Sequence, residues 1–85
     1  KGLAADWGKH GIRVNGIGPG PFKTPLNEAL IKDQTFSAWV AARTPLGRWG
    51  ELDELIGAAV FLASDAASFV TGHILYVDGG MTAVV

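Results

Sequence analysis

The sequence predicts an α/β fold built on a parallel sheet, and three observations carry that reading. GIRVNGIG is a short β-branched run that opens into an irregular Pro-Gly loop. Glu51 to about Ser64 reads as the best helix in the chain. HILYV is a continuous apolar strand, the pattern expected where both faces of a parallel sheet are covered. Helix, strand, loop, helices, strand is the order of a βαβ unit entered in mid-course.

Each element has a local cause. GLAADWGKHG reads as the last turns of a helix, with Leu3 and Trp7 on one face and Gly8 and Gly11 as the stop. Ile12, Val14 and Ile17 mark the first strand. Thr24-Pro25 is a helix start, Thr24 as N-cap and Pro25 at the first helical position, with Leu26, Ala29 and Leu30 on one face. A second short helix is expected from about Gln34 to Ala42, where Phe36, Trp39 and Val40 share a face, and Thr44-Pro45 closes it. Glu51, Asp53 and Glu54 crowd the first turn of the next helix, where the positive end of the macrodipole favours acids. LIGAAVFLA is apolar nearly all round, which predicts burial on more than one side. Asp65 is placed to cap one more turn, and Asp78-Gly79-Gly80 ends the last strand.

Composition narrows the class. The 85 residues are 48% hydrophobic and 18% charged, with a formal net charge of -1. There is no polybasic run to hold nucleic acid or an anionic membrane. No apolar segment approaches the roughly 18 residues of a membrane span. With no cysteine there is neither a disulfide framework nor a thiolate metal site. A cytoplasmic enzyme or binding domain is the expectation, and no metal site is assigned. A helix that opens at Lys1 without a cap, and two strands that cannot make a sheet alone, predict half of a domain whose sheet is completed by more chain or by partner chains.

The loop NGIGPGPFKTP holds three glycines and three prolines in eleven residues. Gly16 and Gly18 supply G-x-G, but the third glycine of a dinucleotide fingerprint would fall on Pro21, so that motif fails. Ligands in open α/β sheets bind beyond the carboxyl ends of strands, and this loop follows one. Proline fixes φ and glycine permits close approach, so the loop can present rigid main-chain groups to a flat ring. A simple strand-to-helix connector, with Thr24 only a cap, is the plain alternative.

The stretches GIRVNGIGPGPFKTP and PLGRWGELDELIGAAVFLASDAASFVTGHILYVDGG resemble the short-chain dehydrogenase/reductase family. Within it NGIGPGPFKTPLNEAL, FSAWVAARTPLGRWG and VDGGMTAVV look most like the gluconate 5-dehydrogenases. The resemblance implies the C-terminal part of a Rossmann-like doubly wound parallel sheet, with NAD or NADP as cofactor. It implies that Pro19 and Gly20 pack beside the nicotinamide, that main-chain groups near Phe22 meet its carboxamide, and that Thr24 bonds the carboxamide or a phosphate. It also implies a substrate lid over about residues 25–44 and a homotetramer, with Leu55, Ala59, Leu62 and the strand Ile74 to Val77 in an interface. The family's Tyr-x-x-x-Lys pair is not in this sequence, since Gly80 stands four after the only tyrosine, Tyr76. Lys1 lies about two helical turns too close to Asn15 to be that lysine. The segment alone is therefore expected to be inactive, with no catalytic residue of its own.

A small sugar-acid substrate needs a carboxylate partner, and Arg43, Arg48 and Lys23 are the candidates, Arg43 first because a guanidinium grips a carboxylate bidentately. For each singly, a solvated surface charge is the plainer reading. Trp39 is a candidate to stack on a sugar face, although its spacing with Phe36 and Val40 argues for the core. His10 and His73 lie far apart without a carboxylate pattern, Trp7 and Trp49 read as packing residues, Asn15 as a polar stitch, and Asp78 as the organiser of the last turn. Rival readings are a 3-oxoacyl reductase or glucose dehydrogenase type, and a non-catalytic oligomerisation segment.

Overall fold

Two parallel strands, β1 (Gly16–Pro19) and β2 (Ile74–Val77), form the sheet of the computed structural model, which describes residues 1–83. Their register pairs Gly16 with Ile74, Ile17 with Leu75, Gly18 with Tyr76 and Pro19 with Val77. The first helix, α1 (Gly2–Trp7), continues through Gly8 to His10 as a 3-10 turn and stops at Gly11. Only Ala4 of α1 is buried, and Trp7, expected to pack, stays 43% exposed.

β1 lies further along the chain than the β-branched run predicted. Residues 12–15 run beside the approach to β2 but are joined to it mainly through side chains. Val14 N donates to Thr71 Oγ1 at 3.1 Å, Asn15 Nδ2 to Val70 O at 2.9 Å, and His73 N to Asn15 Oδ1 at 3.2 Å. Asn15 is thus a polar stitch, though it ties the strand entries together rather than the loop. The regular ladder begins at Gly16, so the first half of the Pro-Gly segment is strand. Its glycines have a packing cause: a Cβ on Gly18 would lie 2.5 Å from the Tyr76 ring, and one on Gly20 would lie 2.6 Å from Asp78 Cα.

Between the strands come a 3-10 turn at Pro25–Asn27, α2 (Glu28–Lys32), α3 (Gln34–Arg43) and α4 (Leu52–Ala63). Asp33, not singled out in the sequence, caps α3 by accepting from Phe36 N at 3.1 Å. Thr44 ends α3 in extended conformation just before Pro45, as expected. Glu51 stands at the N-cap of α4, and its N–H donates to Glu54 Oε1 at 2.8 Å. At the other end Arg13 collects the orphan carbonyls, its Nη1 donating to Leu62 O at 2.8 Å and Ala67 O at 2.9 Å, and its Nη2 to Ser64 O at 3.4 Å. Ser64, rather than Asp65, is the N-cap of the following 3-10 turn at Asp65–Ala67.

The core is small: Ala4, Phe22, Val40, Trp49 and Ala67 are the buried apolar residues. Two burial expectations are not met within the described residues, for the same reason. HILYV was read as covered on both faces, yet Ile74 and Tyr76 are exposed while Leu75 and Val77 are half-buried, so only one face is covered. α4, read as buried on several sides, has no fully buried residue and turns Leu52, Ile56 and Val60 outward. The apolar surface that the sequence provides exceeds what the described residues can cover.

Candidate functional site

The predicted loop and lid meet in a cavity of about 320 Å³, lined by Pro19, Gly20 and Pro21 from the loop and by Leu30, Phe36, Trp39 and Val40 from the lid, with Trp49 and Met81 behind. The fold brings them together because the chain turns sharply after β1. Gly20 N still donates to Val77 O at 3.0 Å, and then Phe22 forms an isolated parallel bridge with Gly50. The bridging bonds run from Gly50 N to Pro21 O at 2.7 Å and from Lys23 N to Gly50 O at 2.9 Å. In a parallel bridge the central residue's own N–H and C=O face the opposite edge. There the Phe22 carbonyl accepts from Asn27 Nδ2 at 2.9 Å. The Phe22 ring is buried against Gly50, so it props the loop from behind and its main chain is the part that can meet a ligand.

Thr24 precedes the 3-10 turn as predicted, but its hydroxyl makes no capping bond; the cap is its carbonyl, which accepts from Asn27 N at 2.9 Å. The turn starts at Pro25, whose missing N–H leaves one orphan donor fewer at the start of the turn. Thr24 lines a separate cavity of about 300 Å³ with Lys23, Pro25 and Glu28. Pro19 and Gly20 therefore share a cavity with Trp39, while Thr24 stands in another, which has no lining residue in common with it.

The cationic candidates sort by their partners. Lys23 Nζ pairs with Glu51 Oε1 at 2.9 Å. Arg48 grips Glu54 with both terminal nitrogens, at 2.8 and 2.9 Å. Hydrogen bonding from that guanidinium holds the Glu54 carboxyl down to about 2, and the pair raises Arg48 in turn. Arg43 forms no ion pair among the described residues; its guanidinium lies over the Trp39 ring, 5.5 Å from the centroid. Trp39 is 50% exposed, so the core place expected from its spacing goes to Val40, which is 1% exposed. Phe36 bridges Trp39 and Trp49, at centroid distances of 5.5 and 6.0 Å.

Asp78 organises the last turn as predicted. Its carboxylate accepts from Gly80 N at 2.9 Å, Thr82 N at 3.0 Å and Thr82 Oγ1 at 2.6 Å, and these bonds, the hydroxyl's first, lower its pKa. Among the described residues no group of three His, Asp or Glu side chains is placed to hold a metal ion, and no helix is long and apolar enough to cross a membrane. Sequence reasoning missed Met81, which no local pattern marks as a cavity residue, and Arg13, whose partners are remote in the chain.

A family model described as enoyl-(acyl carrier protein) reductase matches residues 1–82, and the chain belongs to the short-chain dehydrogenase/reductase family. Its α/β fold with a parallel sheet is that of the family's Rossmann-like structures. The chain is 56% identical over 82 residues to gluconate 5-dehydrogenase of Gluconobacter oxydans, covering 96% of this chain and 32% of that protein. It is 54% identical over 85 residues to 5-keto-D-gluconate 5-reductase of Escherichia coli, covering all of this chain and 34% of that protein. A gluconate 5-dehydrogenase from Burkholderia cenocepacia, solved in complex with NADP and tartrate, superposes with a TM-score of 0.91 at 57% identity, covering 99% of this chain and 33% of that one. The chain thus spans about a third of the length of these relatives.

Proposed function

We propose that these 85 residues are the C-terminal third of an NAD(P)-dependent dehydrogenase that interconverts D-gluconate and 5-dehydro-D-gluconate. The observation that carries the reading is the cavity in which Pro19 and Gly20 of the loop meet Trp39 of the lid. The names of the relatives support the substrate, and the bound NADP and hydroxy acid of the Burkholderia protein support the pairing of ligands.

The residues fit a nicotinamide. Pro19, Gly20 and Pro21 make a stiff, shallow wall beside which a flat ring can lie. The Phe22 N–H, facing away from the bridge to Gly50 on the edge whose carbonyl is held by Asn27, is suited to a carboxamide oxygen, and the Thr24 hydroxyl, free of capping duty, adds a donor and an acceptor. When bound, the nicotinamide accepts or returns the hydride at the carbinol carbon of the sugar acid. The lid's task is to exclude water and hold the substrate. Arg43 has no carboxylate partner among the described residues and stands over Trp39 at the cavity's lid side, which suits it to a sugar-acid carboxylate. Arg48 and Lys23 are already paired and are less suited. Tyr76, the one tyrosine, lines another cavity with Phe22 and Asp78, so the group that takes the hydroxyl proton belongs to other residues of the enzyme.

Assembly through α4 and β2 is part of the same proposal. Of Leu55, Ala59 and Leu62 the two leucines are half-buried and Ala59 is exposed, so the outward residues Leu52, Ile56, Ala59 and Val60, with Ile74 and Tyr76 of β2, are better placed for a homo-oligomer.

The test is a steady-state assay of the full-length polypeptide that carries this segment, with NADH and NADPH in turn. Consumption of either with 5-dehydro-D-gluconate, and its regeneration with D-gluconate, is the expected result. Turnover of a 3-oxoacyl thioester or of glucose in their place would move the substrate elsewhere in the family, and no turnover of any would sink the reading.

A further inference from the structure

The cavity between the Pro-Gly loop and the lid has a wall that belongs to neither. Met81 stands in it together with Pro19, Gly20, Trp39 and Val40, yet it follows β2, the strand parallel to and beside the one that leads into the loop. Its place is set closely. Met81 N donates to Asp78 O at 3.2 Å, and the Asp78 carboxylate holds both neighbours of Met81, through Gly80 N at 2.9 Å and Thr82 N and Oγ1 at 3.0 and 2.6 Å. Asp78 is 8% exposed. Three donors on one nearly buried carboxylate fix the short turn that carries the thioether.

The same turn is docked on the end of the lid and the two residues that follow it. Leu46 N donates to Gly79 O at 3.0 Å. Thr44 and Pro45 press so closely on the two glycines that a Cβ on Gly79 would lie 2.6 Å from Thr44 Cγ2, and one on Gly80 would lie 2.9 Å from Pro45 Cγ. Met81 therefore keeps a constant position relative to the arm on which the lid is hung. A simple terminal turn requires neither contact.

We propose that Met81 is a specificity-determining residue of the substrate pocket, packing on the carbon chain of the sugar acid, and that Asp78 is its positioning residue. The inference rests on the dehydrogenase reading above and deepens it by naming what measures the substrate's length. A thioether on an unbranched stem adapts to the C–H face of a polyol while offering no strong hydrogen bond to its hydroxyls. Trp39 supplies a second apolar surface to the same cavity, so the hydroxyls must be met by other groups.

The experiment uses the full-length polypeptide and its Met81→Ala, Met81→Leu and Asp78→Asn variants, assayed with D-gluconate and with shorter and longer hydroxy acids. Met81→Ala is expected to raise KM for D-gluconate roughly tenfold, the scale of lost apolar pocket contacts, with kcat and the nucleotide KM little changed. Longer hydroxy acids gain relative to D-gluconate. Met81→Leu, close in volume, restores the wild-type ratio. Asp78→Asn shifts the ratio in the same direction as Met81→Ala, because it loosens the turn. An unchanged ratio in Met81→Ala, or equal loss for nucleotide and substrate, overturns this inference alone. Absence of turnover in the wild type overturns the dehydrogenase reading and this inference with it.

Discussion

Thr44 ends α3 with its side chain 2% exposed, and its hydroxyl finds no hydrogen-bond partner among the described residues. A buried, unpaired hydroxyl carries its desolvation cost without return, and an isosteric apolar group does not. Thr44→Val is expected to raise stability by about 1 kcal/mol in urea denaturation; a lower midpoint would show that the hydroxyl is satisfied in solution. Residues whose role is local were legible in the sequence: Thr24-Pro25 starts a turn and Thr44-Pro45 stops a helix by the chemistry of neighbouring residues. Arg13 was not legible. The carbonyls it binds belong to residues 49, 51 and 54 positions later, so no window of sequence contains the reason for it. Met81 is hidden for the same reason, since the loop and lid that share its cavity come much earlier in the chain.

At the level of elements, α4 shows which features local pattern can specify. Its acidic first turn and its span were readable, because the macrodipole and the flanking glycine break act locally. Its burial was not, because that depends on what packs against it. β1 was misplaced for a related reason: β-branched Ile12 and Val14 read as strand, but the ladder starts only at Gly16, where backbone can approach Tyr76 and Asp78. The Arg48–Glu54 pair joins the segment after the lid to the first turn of α4, and it makes a pH prediction. The Glu54 pKa falls from an ordinary 4.5 to about 2 on folding, so the contribution is complete above the ordinary value and is lost as pH falls through the lower one. The stability gap between wild type and Glu54→Gln is expected to be present at neutral pH and to close between pH 4.5 and about 2. Asp78 titrates on the acid side in both proteins, so the comparison isolates Glu54. A gap that stays constant through that window would refute the assignment.

For the whole molecule, the order of elements and the parallel pairing were legible from the sequence of strand-like and helix-like runs, and family membership followed from the Pro-Gly loop and the strand ending in Asp78-Gly79-Gly80. What the pattern could not supply was the division of labour in the site, with Arg48 and Lys23 engaged in ion pairs and Arg43 left on Trp39. The central claim is that this segment holds the nicotinamide end of the cofactor. Its most direct test is a fluorescence titration of the full-length polypeptide and its Thr24→Val variant. Each is titrated with NADPH or NADH and, by competition, with the matching adenosine nucleotide that lacks both the nicotinamide riboside and the phosphate next to it. The account predicts that Thr24→Val weakens the complete cofactor about tenfold, equivalent to about 1.4 kcal/mol, and leaves the truncated nucleotide unaffected. Equal weakening of both, or a cofactor that does not bind the wild type, would contradict it.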